Sequence, residues 1–157
     1  MFLSGRCHRD QVHLTRRTDY GLRLLMLLAV DDETPVGLAD AAQRLEVSAN
    51  HLAKVAQALA HAELIRSTRG RSGGFMLLPA ARKSTVADIV EALEPLALVE
   101  CFDDADACKL SPSCRLHGIL AEANQAFLDT LRRHTIEDLV ARRRAPLLRL
   151  TGKPRQS

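Results

Sequence analysis

The stretch "GLADAAQRLEVSANHLAKVAQALAHAEL", residues 37–64, breaks its apolar period once and then resumes it. Ala39, Ala42 and Leu45 share one helical face, and Leu52, Val55 and Leu59 share another. Glu46 and Val47 mark the break, and Ser48 stands where an N-cap of the second segment belongs. The second segment buries one side and leaves Asn50, His51, Lys54 and Gln57 on the other. This pattern predicts a helix-turn-helix at about 38–61, with polar donors available to base edges and phosphates. "LIRSTRGRSGGFMLL", residues 64–78, follows at once. Its two strand-like runs flank a loop containing Gly70, Gly73 and Gly74, read as glycines that supply positive φ for a tight reversal. Arg66, Arg69 and Arg71 crowd the tip, which makes the hairpin a basic wing suited to a phosphate backbone or a minor groove. Either signal alone is weak, and their order carries the inference to double-stranded DNA. The candidate DNA-binding residues are Ser48, Asn50, His51, Lys54, Arg69 and Arg71.

The flanking segments read as further helices. In "TRRTDYGLRLLMLLAV", Tyr20, Leu24, Leu27 and Leu28 keep helical spacing, while Leu25 and Met26 widen the apolar arc and predict a largely buried helix. Thr15 or Thr18 is placed to cap it, and "DDETP" ends it. "STVADIVEALEP" carries a cap-like Thr85 with Asp88 three residues on, and Pro95 stops that helix. Leu116, Leu120, Ala123, Phe127 and Leu131 form a stripe over a helix of about 20 residues, about 30 Å long. Such a helix is long for the chain and predicts a dimerisation element. Thr135 and Asp138 suit the cap of a short terminal helix whose docking the sequence leaves open.

A hydrophobic content of 46% suffices for a core, and four Phe, one Tyr and no Trp leave that core to aliphatic residues that favour helices. The expected fold is mainly α, a winged helix-turn-helix with a β-hairpin wing, a cysteine-bearing loop and a long C-terminal dimerisation helix. Its expected parts are a disordered extension at 1–13, a winged-helix domain at 14–95, a cysteine loop at 96–114, dimerisation and terminal helices at 115–141, and a flexible tail at 142–157. The net charge of +3 is too mild to decide on a partner by itself. No apolar run reaches the roughly 18 residues of a membrane span, and no secretory signal is present, so a cytoplasmic location is expected. No base–nucleophile set suggests an enzyme.

Three of the four cysteines, Cys101, Cys108 and Cys114, stand in a C-x6-C-x5-C arrangement. Cys7 lies apart and reads as a free thiol. Structural zinc draws ligands in close pairs and wants four, and redox pairs favour C-x-x-C. A disulfide would leave an odd thiol and suits an oxidising compartment. The wide triple favours an iron–sulfur cluster, which accepts thiolates from a long loop and an oxygen or nitrogen as fourth ligand. Zinc and inert or redox cysteines remain as alternatives.

"LTRRTDYGLRLLMLLA", "VSANHLAKV", "RGRSGGFML" and the run "ADIVEALEPLALVEC" with the later cysteines and "CRLHGIL" resemble the iron–sulfur winged-helix transcriptional regulators. Within that family the likeness is to the nitric-oxide-sensing repressors, from Leu14 to about Val140. The resemblance implies a homodimer on a palindromic operator, with one iron–sulfur cluster per protomer, 2Fe-2S preferred and 4Fe-4S compatible. It also implies repression of nitric oxide detoxification genes until nitric oxide attacks the iron. The fourth ligand would be Asp19 from the other protomer or His117, the position used in the branch that senses cluster supply. Asp19 is favoured, because an oxygen ligand is weak and exchangeable on iron. Arg23, one turn on, is placed to hydrogen-bond that carboxylate. The alternatives are a sensor of iron–sulfur cluster supply and a winged-helix regulator with a structural metal.

Overall fold

The computed structural model describes residues 13–31, 34–70, 73–94, 102 and 114–141. Cys7, Arg71, Cys101 and Cys108 lie outside the described residues, as do residues 1–12, the tail at 142–157, Pro95 and, Phe102 and Cys114 apart, the expected loop at 96–114.

Helix α1, Arg16–Val30, is the axis on which the other elements pack. Thr15 is its N-cap, the hydroxyl accepting the Thr18 N–H at 3.4 Å. The Glu94 carboxylate accepts the N–H of Thr15 at the same end. Asp31 closes the other end by donating its N–H to the Leu27 carbonyl. Leu24, Leu25, Leu27 and Leu28 are all buried, because their apolar arc is wider than a single stripe and must be covered from more than one side. Covering comes from α3, Ala49–His61, from α4, Val86–Leu93, and from α6, Ile136–Ala141.

Helix α2, Leu38–Leu45, runs into α3 through a turn at Glu46, whose φ of 55° places a non-glycine residue in the left-handed region. The N–H groups of Glu46 and Val47 satisfy the last carbonyls of α2, at Gln43 and Ala42. Ser48 occupies the N-cap position of α3, yet its side chain makes no capping bond. Strands β1, Ile65–Thr68, and β2, Gly74–Leu77, pair antiparallel with Ile65 opposite Leu77 and Thr68 opposite Gly74. Val36, just before α2, adds a bridge to Phe75 with bonds of 3.0 and 2.9 Å. The wing is thereby fastened to the helix-turn-helix.

The glycines of this hairpin divide their work differently from the sequence expectation. Of the three, only Gly70 has a positive φ, of 114°. Gly74 is needed for close approach, since a Cβ there would lie 2.5 Å from the Val36 carbonyl oxygen.

A single 3-10 turn at Ala80–Lys83 leads into α4. Thr85 and Asp88 form a reciprocal capping box, with bonds of 3.1 and 2.7 Å. Thr135 and Asp138 repeat the device before α6, at 3.1 and 2.9 Å. The two caps join as a β-bridge, with the Val86 N–H donating to the His134 carbonyl at 2.8 Å and the Ile136 N–H to the Ser84 carbonyl at 3.2 Å. Docking of the terminal helix, open in the sequence, is therefore settled, and Ile136 and Val140 belong to the core.

Helix α5, Arg115–Leu131, has 17 residues, slightly fewer than expected. Arg132 anchors its C-terminal end by donating to Glu91 on α4 at 2.8 Å and to Asp129 at 2.9 Å. Hydrogen bonds from Gln125 and Arg132 hold the Asp129 carboxyl below its ordinary range. Leu128 is the one buried residue of α5, whereas Leu116 and Ile119 near its start are 58% and 55% exposed. Ile119 joins the apolar ridge, although the stripe predicted from the sequence does not include it.

Because Ile136 is fully buried against α1, Ile136→Ala should destabilise the protein by about 2–5 kcal/mol. Urea unfolding followed by circular dichroism measures this. A loss within about 0.5 kcal/mol, ordinary for surface positions, would show that α6 is not part of the core.

Candidate nucleic-acid interface and metal centre

Helix α3 is buried along Leu52, Val55, Ala56 and Leu59. That placement turns Ser48, Asn50, His51 and Lys54 outward, all four exposed within two turns. The absence of a capping bond at Ser48 leaves its hydroxyl on the same surface. Arg69 is exposed where β1 enters the wing loop, and Arg66 is exposed on β1, where it donates to the Met76 sulfur at 3.5 Å. The predicted contact residues that lie within the described chain thus share solvent-facing positions on α3 and the wing, and a rigid base of core leucines supports them.

A buried ion pair sets the angle of this unit against α1. Arg44, in the last turn of α2, bonds to the Asp31 carboxylate at the C-terminal end of α1, and their side chains are only 6% and 3% exposed. Arg44 also reaches Asp40 at 3.3 Å. Arg82 donates to the Ala29 carbonyl at 3.1 Å and fastens the segment after the wing to the same end of α1. Neither link has a sequence signature, because each joins residues on different elements with no shared period. Asp31→Ala leaves a guanidinium buried without its principal charge partner, and a loss of about 3–5 kcal/mol in chemical unfolding is the expected outcome. A loss below about 1 kcal/mol, as for exposed pairs, would show that the pair does not fix α2.

At the other end of α1, Asp19 is partly exposed and held by a two-pronged contact: Arg23 Nε donates to Oδ1 and Nη2 to Oδ2, both at 2.9 Å. The predicted partnership of these two residues is present. Cys114 is the N-cap of α5 and makes no capping bond through its side chain. His117, one turn into α5, meets the ring of Phe102 edge-on with centroids 4.9 Å apart. Phe102 follows Cys101 in the chain, so the neighbour of the first cysteine packs against the turn that begins at the third. Among the described residues no three histidine, cysteine or carboxylate side chains meet as a metal site, and Asp19, His117 and Cys114 do not come together within one chain.

A cleft of about 400 Å³ lies between the start of α1 and the outer face of α3, lined by Arg16, Arg17, Tyr20, His51, Lys54 and Val55. The sequence pattern gives Arg16 and Arg17 no role. The available signal is their position: two cations in the first turn of a helix oppose the helix dipole.

An outward-facing recognition helix, a hairpin wing bridged to it and a supporting three-helix core define a winged helix-turn-helix regulator. The chain belongs to the Rrf2 family, described as iron-dependent transcriptional regulators, which it matches over residues 14–142. The HTH-type transcriptional regulator NsrR of Shouchella clausii is 39% identical over 132 residues, covering 82% of this chain and 89% of that protein. The global cysteine regulator CymR of B. subtilis superposes with a TM-score of 0.66 at 27% identity, over 84% of this chain and 98% of that one. IscR of T. potens has the same fold, with a TM-score of 0.68 at 23% identity over 83% of this chain and 88% of that one. The protein is a transcriptional regulator, not an enzyme. No helix among the described residues is long and apolar enough to cross a membrane.

Proposed function

We propose that the chain is a homodimeric repressor that binds a palindromic DNA operator and senses nitric oxide through one iron–sulfur cluster per protomer. The observation that carries this reading is the extent of the family match. Residues 14–142 take in the recognition helix, the wing and all three clustered cysteines, and the S. clausii relative is an HTH-type transcriptional regulator. Ser48, Asn50, His51 and Lys54 would enter the major groove, and Arg69 and Arg71 would follow the backbone or minor groove. The exposed ridge of Leu116 and Ile119 would pack on its counterpart in a second copy, which sets the two recognition helices about 34 Å apart for successive half-sites. The cytoplasm, where thiols stay reduced, is the setting that suits such a protein.

Cys101, Cys108 and Cys114 would hold the cluster, with Asp19 of the other protomer as fourth ligand. When bound, the group offers iron with one weak oxygen ligand, which a small neutral diatomic molecule displaces more readily than thiolate. Asp19 suits the role because a carboxylate has about four acceptor sites, and the two bonds from Arg23 orient it without using them all. His117 is less suited, since its ring packs on Phe102. Glu94 holds the N–H of the N-cap residue Thr15 and stands two residues before the expected cysteine loop at 96–114. The end of α4 and the Asp19 turn therefore border the same end of α1. A hundredfold change in operator affinity requires only about 2.7 kcal/mol, well within what metal ligation supplies.

Anaerobically reconstituted protein should show visible iron–sulfur absorption and bind its operator. Nitric oxide should bleach that absorption and weaken binding about a hundredfold or more, equal to about 2.7 kcal/mol. Cys114→Ser should abolish the absorption, and Asp19→Ala should weaken cluster retention while His117→Ala does not. Operator binding that survives nitric oxide would overturn the reading in favour of a sensor of cluster supply. Zinc in place of iron, with no visible absorption, would overturn it in favour of a structural metal.

A further inference from the structure

The cleft between α1 and α3 has an unusual charge balance. Four of its lining residues, Arg16, Arg17, His51 and Lys54, are basic and exposed. None of the four is hydrogen-bonded or ion-paired through its side chain to another described residue. The carboxylates on the adjoining turns are engaged elsewhere, Asp19 by Arg23 and Glu94 by the Thr15 N–H. Arg16 and Arg17 are the first two residues of α1, where the helix dipole disfavours each cation by about 0.3–1 kcal/mol. The helix dipole gives no reason for arginine at these positions. An anion outside the chain offsets the cost, because guanidinium groups match phosphate in a fixed two-bond geometry. The floor is fixed, since Tyr20 and Val55 belong to the packed body of the domain.

We infer that this cleft seats a phosphate of the DNA strand bordering the groove that α3 enters, and that Arg16 and Arg17 belong to the DNA-contacting surface. The inference rests on the DNA-binding reading above. His51 and Lys54 carry the argument for DNA over a free anion. They line the cleft and also stand beside Asn50 on the outward face of α3, so a duplex met by Asn50 passes its backbone across the cleft. Arg17 and Asp19 are two residues apart on one turn. The phosphate seat and the proposed iron ligand then share a single turn of α1, and a movement of that turn changes both.

The test uses iron-loaded full-length protein and a duplex selected from a randomised pool by the wild-type protein. Affinity is measured against salt concentration for the wild type, the double variant R16Q/R17Q and the wing variant R69Q. The double variant should bind more weakly, with the slope of log affinity against log salt reduced by about 0.9 for each phosphate that is no longer neutralised, while its urea unfolding shows no loss of stability. If R69Q weakens binding and the double variant keeps both affinity and slope, the cleft is not a phosphate seat although the DNA reading stands. If pyrophosphate raises the melting temperature of the wild type but not of the double variant, and duplex affinity is equal in both, the cleft is a small-anion site and the inference is overturned. If the wild type selects no duplex, the DNA reading fails and this inference fails with it.

Discussion

The burial of α1 is the constraint on which the rest of the structure depends. Its four closely spaced leucines, Leu24, Leu25, Leu27 and Leu28, cannot be covered by one neighbour, so α3, α4 and α6 must all meet on it. The recognition helix, the helix that leads into the cysteine segment and the terminal helix are thereby indexed to a single rod. Polar links finish the indexing at both ends. Arg44 and Asp31 lock α2 to the C-terminal end, and Glu94 locks the end of α4 to the N-terminal one.

This arrangement separates a rigid half of α1 from an exposed half. From Leu24 to Val30 all residues but Met26 are buried. From Arg16 to Arg23 only Thr18 and Gly21 are, and the remaining side chains are wholly or partly available. Asp19, Arg23 and the two arginines of the cleft all fall in that exposed half. A change in ligation at Asp19 would act on a segment with little core of its own and would leave the anchored half in place. Sensing in such a fold does not require unfolding, only a shift of a few kcal/mol between two settings of one helix end.

The parts of the fold that are legible in the sequence are those with a local physical cause. The helix-turn-helix boundaries follow from a break in the apolar period at Glu46, and the caps at Thr15, Thr85 and Thr135 from side chains that satisfy N–H groups three residues on. The features that are not legible depend on distant partners. Gly74 reads as a source of positive φ because nothing local shows that Val36 would lie against it. Docking of α6 stays open in the sequence because two apolar residues, Ile136 and Val140, make a weak pattern until Thr85 pairs with Thr135. The pair Asp31–Arg44 and the cleft arginines involve charged residues that look solvated in one dimension. For the cluster the position is reversed: cysteine spacing and family likeness speak for it, and its first two cysteines lie outside the described residues.

In this proposal the exposed half of α1 would join the iron site to the DNA-binding surface while the buried half holds still. Hydrogen–deuterium exchange on the iron-loaded and metal-free protein measures this directly. Removing the metal should speed exchange over residues 16–23 and in the first turns of α3, with protection of 24–30 and 136–141 unchanged. Equal exchange over 16–23 in the two forms would contradict the claim. So would loss of protection spread evenly through α1 and α6.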